Sequence, residues 1–236
     1  MAFGTNPIKI GYFQPILDDE FLITVSDKNK LNGFEDFFND IEKTLKLIPK
    51  NIEVIVVCNN CSDKTQEISK KYTKTYSIKS QGVSLARNYG GKKADGDLLV
   101  FLDADTLINN ELISKLNSIK EKNFFGTCMV KPDNKKFIAK IYCFFKNIVG
   151  RLGIHNSSGI IFCSKSVFDK VKFDEKRNKH ENQEFSERAR KYGKRYFLNC
   201  YTITSMRRFE KLGYANVPLY WIKEMFHKTK GYPNVR

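Results

Sequence analysis

No stretch of this sequence approaches the roughly 18 consecutive apolar residues of a membrane-spanning helix, and no charged-then-apolar leader opens it. Lacking both, the chain is expected in the cytosol. Cysteine is sparse, with six in 236 residues, which excludes the stapled framework of a small secreted domain. Cys58 and Cys61 make a lone C-x-x-C with no second pair at zinc-ligand spacing, and Cys58 closes a strand pattern rather than opening a helix. Reduced thiols are expected there. Acidic residues are also in short supply: 26 Asp and Glu face 41 Lys and Arg, a net charge of +15. Such a balance attracts anions, whether nucleotide phosphates, acidic lipid headgroups or nucleic acid, although a solvated lysine-rich surface accounts for it equally well. A nucleic-acid recognition motif is missing, and the aromatics are not spaced as a base-stacking platform. No specific nucleic-acid partner is expected.

What is present reads as alternating strands and helices. Hydrophobic residues at 41% and charged residues at 28% fit an ordinary folded chain, long enough for one domain or two intimately packed halves. Residues 1–20 carry Gly4, Pro7, Gly11 and Pro15 and read as an irregular arm. The first strand is expected at 21–26 and an amphipathic helix at 34–47. Residues 51–58 hold the unbroken run Val54-Ile55-Val56-Val57, typical of a strand covered on both faces. A turn at 59–63 follows, with Ser62 or Asp63 capping a helix that runs to Lys71. Further strands are expected at 76–79, 98–102, 125–130, 160–163 and 195–198, and helices at 109–122, 166–172 and 217–230. Residues 134–153 pair apolar positions with Lys135, Lys136, Lys140, Lys146 and Arg151. That basic amphipathic pattern suits either an anionic membrane surface or a helix that covers a sheet.

The chain is organised around residues 82–105, GVSLARNYGGKKADGDLLVFLDAD. Strand alternation puts Asp103 and Asp105 on one side of an extended segment, with Ala104 pointing away. Ligands in open α/β sheets sit beyond the carboxyl ends of strands, where these two carboxylates are expected. Carboxylates so close repel unless a cation lies between them, and hard oxygen ligands suit Mg2+ or Mn2+. Such an ion needs few protein ligands when substrate phosphates complete its shell, so a diphosphate-bearing ligand follows. An isolated Asp-x-Asp can also simply cap a helix or line a turn.

Company makes the motif specific. Ala86-Arg87-Asn88-x-Gly90, Ala94-x-Gly96-Asp97 and FLDAD together resemble the central signature of the family 2 glycosyltransferases. VIVVCNNCSDKT upstream is similar to that family's strand-and-turn motif. GIIFCSKSVFDKVKFDE and ENQEFSERARKYG downstream are similar to its acceptor-side motifs. Order and spacing agree over about residues 20–215. The resemblance implies an α/β protein of GT-A fold: a Rossmann-like mixed sheet flanked by helices. Over residues 1–236 it implies a nucleotide-sugar-binding half at about 20–105 joined to an acceptor half at 106–236. Its implied partners are a nucleotide-diphosphate sugar and a glycan or lipid-linked acceptor, the latter reached at the inner face of a membrane.

The same resemblance implies roles for particular residues. Backbone at Val25, Ser26 and Asp27 would flank the base, although the family's proline and Asn-Glu pair are absent there. Cys58 stands where the family often has an acidic base reader; a thiol is a weak acceptor, and Asn59 could supply an amide instead. Arg87 would face the diphosphate, as would Arg207 and Arg208 from a later loop. Asp103, Ala104 and Asp105 would hold the donor and its Mn2+ or Mg2+, with His227 a further metal ligand. Ser158, Gly159 and His180 would line the acceptor pocket. The family's catalytic aspartate falls on Asn182, and an amide takes up no proton at neutral pH. Glu181 is the first substitute for the base and Glu184 the second. Otherwise the enzyme retains configuration, or the site has lapsed to binding alone.

Overall fold

A computed structural model of the chain describes residues 9–13, 52–59, 65–79, 82–103, 106–153, 159–177, 180–214 and 216. The expected helices at 34–47 and 217–230, the expected strand at 21–26, and Val25, Ser26, Asp27, Ala104, Asp105, Ser158 and His227 lie outside the described residues.

One mixed sheet carries the molecule, in the order β3-β2-β1-β4-β7-β6-β8-β5. The first four strands are β1 (Lys9–Phe13), β2 (Glu53–Asn59), β3 (Lys74–Ile78) and β4 (Leu98–Leu102). They run parallel, with β1 between β2 and β4. Beyond β4 come β7 (Ile160–Ser164) and β6 (Phe124–Pro132), each antiparallel to its predecessor. The long β8 (Lys194–Thr204) runs parallel to β6, and the short β5 (Thr106–Leu107) closes the edge against it. This is the α/β mixed sheet expected.

Two strand assignments needed correction. Residues 9–13, read as part of an irregular arm, form a strand at the sheet's centre. Gly11 and the flanking prolines argue locally against a strand, but ladders on both sides override them. The last long strand extends to Thr204 rather than Leu198, because β6 pairs with it along nearly its whole length, through a register shift at Cys128/Met129.

Burial follows the two-residue strand period. Val56, Cys58, Val100, Leu102 and Phe162 face one layer, beneath Leu112 and Leu116 of α3 (Asn110–Asn117). Their sequence neighbours Ile55, Val57, Leu99, Phe101 and Cys163 face the other. There they meet α2 (Val83–Lys93), α5 (Lys165–Val171) and α6 (Glu181–Ala189). A shorter helix, α1 (Thr65–Lys70), links β2 to β3. The α2–α5 approach depends on a missing side chain: a Cβ on Gly91 would lie 2.3 Å from Cζ of the buried Phe168 ring. Gly91→Ala is therefore expected to cost about 1–3 kcal/mol through overpacking, despite alanine's better helix propensity. Chemical denaturation of the variant measures this; unchanged or raised stability would show that the ring yields freely.

A third cluster (Val130, Ala139, Cys143, Met206, Phe209) seats α4 (Phe137–Arg151) and α7 (Arg207–Leu212) on β6. The basic pair Arg207 and Arg208, expected on a loop, thus opens a helix. Phe209 within it finds a buried place beside Tyr142, ring centroids 4.3 Å apart.

Candidate active site

The chain runs from β1 to β2 and β3 on one side and returns to β4 on the other, so strand order reverses between β1 and β4. Such a switch point opens a crevice at the strands' carboxyl ends, and Asp103 is the first residue past the end of β4. Its backbone is held on both sides: its N–H donates to Gly159 O at 2.8 Å, and its carbonyl accepts from Thr106 N at 3.0 Å. Gly159 takes φ +72°, and a Cβ there would stand 2.2 Å from the Thr106 hydroxyl. Only glycine fits. Two residues singled out separately in the sequence, Asp103 and Gly159, are thus brought into direct contact.

The centre of the site is Arg87. Its side chain is only 3% exposed, and its guanidinium joins three elements. Nη2 donates to Asp103 Oδ1 at 2.8 Å; Nη1 donates to Glu181 Oε1 at 2.8 Å and to Asn182 Oδ1 at 2.7 Å. The guanidinium carbon lies 5.2 Å from the centroid of the Phe173 ring, which stacks on Phe185 and meets Phe101 edge-on. Asn88 beside it pins the segment after α5: Nδ2 donates to Phe173 O and Glu175 Oε1, and Oδ1 accepts from Phe173 N. Ala86 fills the core beneath. The Ala-Arg-Asn triplet therefore binds the end of β4 to the start of α6. Protein acceptors meet both terminal nitrogens of the fork, while its buried Nε meets no acceptor among the described residues.

Two carboxylates share that one guanidinium, and the charges set each other. Burial, the largest influence, pulls the Arg87 pKa down, but Glu181 and Asp103 together outweigh it and leave it raised. Burial likewise lifts the Asp103 carboxyl above its ordinary range, and Glu181 adds to this against the opposing pull of Arg87 and Lys146. Lys146, on α4, was read only as part of a basic face. Its effect on Asp103 had no sequence signal, since helical spacing says nothing about which strand end a lysine approaches.

Asn182 and the two candidate bases, Glu181 and Glu184, fare differently. Asn182 is buried, and its Oδ1 serves Arg87. Glu184 is engaged by Arg188 through both oxygens: Nε donates to Oε1, and Nη2 donates to Oε2 at 2.8 Å. Arg188 also donates to Val171 O and Lys172 O, so Glu184 is committed to fastening α6 to the end of α5. Glu181, 15% exposed, stands at the first position of α6, where the helix dipole favours negative charge. His180 before it takes a left-handed backbone (φ 55°, ψ 25°), rare for a residue other than glycine, and so sets the angle at which Glu181 leaves the helix start.

The remaining site residues are dispersed. Cys58 is fully buried in the layer with Val56 and Val100. Asn59, at the end of β2, donates from Nδ2 to Gly82 O at 2.9 Å, while its buried Oδ1 has no hydrogen-bond donor among the described residues. Arg207 Nε donates to Ser205 Oγ at 3.1 Å. Among the described residues no three His, Cys, Asp or Glu side chains converge as a metal cage. One or two carboxylates suffice where substrate phosphates contribute. Asp103 offers hard carboxylate oxygens at the end of β4, the donor type that a divalent cation takes.

Comparison with known proteins agrees with the fold. The family model "Glycosyl transferase family 2" matches residues 34–213. The minor teichoic acid biosynthesis protein GgaB of Bacillus subtilis is 35% identical over 127 residues, covering 51% of this chain and 13% of that protein. Among solved structures, Staphylococcus aureus TarS 1-349 in complex with UDP superposes with a TM-score of 0.61 at 18% identity, over 84% of this chain and 60% of that one. The mannosyltransferase PcManGT from Pyrobaculum calidifontis, in complex with GDP-Man and Mn2+, gives 0.61 at 13% identity, over 98% and 67%. At those identities the structural likeness establishes the GT-A fold alone. GgaB and TarS extend well beyond the part this chain matches.

Proposed function

We propose that this chain, which belongs to glycosyl transferase family 2, moves a sugar from a nucleotide-diphosphate donor to the hydroxyl of a glycan or lipid-linked acceptor. The observation that carries the reading is the Asp103–Arg87–Glu181 linkage at the switch point of the sheet. It joins a carboxylate suited to the donor side to a carboxylate suited to the acceptor side through one buried cation.

In this reading the diphosphate lies beyond the end of β4, with Asp103 and Asp105 holding Mn2+ or Mg2+. Bound there, the ion would neutralise charge on the departing nucleotide. Asn59 Oδ1, buried without a donor among the described residues, is suited to accept an N–H from the base in place of the carboxylate that Cys58 replaces. Glu181 takes the acceptor's proton through the oxygen that Arg87 does not hold, and the freed oxygen attacks the anomeric carbon from the face opposite the nucleotide. That outcome is inversion. Arg87 acts as a positioning residue: it touches neither sugar nor phosphate but sets both carboxylates. Arg207 and Arg208, at the start of α7, are candidates to meet the leaving diphosphate.

The direct test is a thermal-shift panel of UDP, GDP, dTDP and CDP nucleotides, with and without Mn2+. Binding to the native state raises the midpoint by mass action. One nucleotide is expected to shift it in a metal-dependent way, and Asp105→Ala should abolish the metal-dependent part. A panel flat in both conditions would reject the donor site.

A further inference from the structure

Helix α4 is apolar on two opposite sides. Its inner side, Ala139, Cys143 and Gly150, packs on β6. Asn147 locks that orientation, donating from Nδ2 to Val130 O at 3.0 Å and accepting from Val130 N at 2.8 Å. The helix therefore cannot roll. Its outer side nevertheless presents Phe137, Ile138, Phe144, Phe145, Ile148 and Leu152, which recur at helical spacing and are between 41% and 77% exposed. Phe144 and Phe145 meet edge-to-face at 5.7 Å, so the stripe forms one surface rather than scattered side chains. A helix that only covered a sheet would turn lysines outward and keep its phenylalanines in.

The charge around the stripe says what covers it. Residues 134–168 contain no Asp or Glu, and Lys135, Lys140 and Arg151 border the exposed aromatics, while Lys136 pairs with Glu210 at 2.7 Å. A second copy of this chain, itself carrying +15, would meet this basic rim with net repulsion. Anionic lipid supplies both requirements together: acyl boundary for the phenylalanines and phosphate for the lysines. We infer that the outer face of α4 docks this protein on an anionic lipid surface, seated in the headgroup–acyl boundary without crossing it. The outer face of α4 is a surface distinct from the candidate active site at the end of β4. Delivery of a lipid-linked acceptor to that site rests on the transferase reading; the docking itself does not.

Co-sedimentation with large unilamellar vesicles tests the docking, using phosphatidylcholine alone and phosphatidylcholine with about one-third phosphatidylglycerol. The full chain should sediment with the anionic vesicles and far less with the neutral ones. Phe144→Ser/Phe145→Ser should lower the bound fraction about tenfold or more, while Lys135→Glu/Lys140→Glu should remove most of the preference for anionic lipid. Absence of sedimentation, or undiminished binding of the double serine variant, would overturn the proposal. So would a dimer in sedimentation velocity that the serine variant dissolves, because a second copy would then be the occupant. Both phenylalanines are exposed, so the variant should keep its parent's melting temperature. No donor or acceptor enters the assay, and nucleotide-dependent stabilisation measured alongside keeps failure of docking distinct from failure of the transferase reading.

Discussion

Arg87→Ala is expected to destabilise the protein by about 3–5 kcal/mol, because it strands two carboxylates around a vacated cavity. Asp103 and Glu181 would face each other without the cation between them, and Asn182 Oδ1 would lose its donor. Lysine should recover only part of the loss: a point charge on a flexible stem cannot bridge three acceptors as a planar fork does. Urea denaturation of the variant measures the effect, and a cycle with Glu181→Gln apportions it. If the carboxylate pair is the cause, Arg87→Ala should cost less once Glu181 is already neutral. A loss below about 1 kcal/mol would mean that the linkage is ornamental to the fold and that Arg87 is free to serve the donor instead.

Glu181→Gln is expected to lower kcat by about two to four orders of magnitude with little change in stability. The amide oxygen can still accept from Arg87 Nη1, but it takes up no proton. Glu184→Gln should do the reverse, loosening the Arg188 fastening while sparing the chemistry. Asn182→Asp adds a third carboxylate to the same guanidinium at the family's own catalytic position, and a rise in rate is expected. Steady-state kinetics on the three variants separates the alternatives. Full activity in Glu181→Gln would remove Glu181 from the mechanism. Activity found only in Asn182→Asp would mark the natural chain as a binding protein.

Much of the fold was legible because strand alternation is a local property. Ile55 and Val57 pack in one layer, Val56 and Cys58 in the other, as an unbroken apolar run requires of a strand covered on both faces. The single long strand β8 was underestimated, since what extends it is a partner in β6 rather than its own residues. Residues 9–13 were missed for the same reason: glycine and nearby prolines are local signals, and pairing with β2 and β4 is not.

At the site, the Asp-x-Asp after an apolar strand, the Ala-Arg-Asn triplet and the Glu181-Asn182 pair were all visible in order, and they carried the family resemblance. Their roles were not. Arg87 and Glu181 are 94 residues apart in the chain, and Arg87 and Asp103 are 16 apart. No periodicity relates them, and a guanidinium takes whatever acceptors the packed helices present. The sequence alone determined which residue types stand at the strand ends and which faces of each strand are apolar, since both depend only on covalent order and side-chain chemistry. Tertiary structure decided that Arg87 meets Asp103, Glu181 and Asn182, that Glu184 pairs with Arg188, and that α4 keeps an exposed apolar face. Each of those is a choice among partners, and partners exist only once the chain has closed.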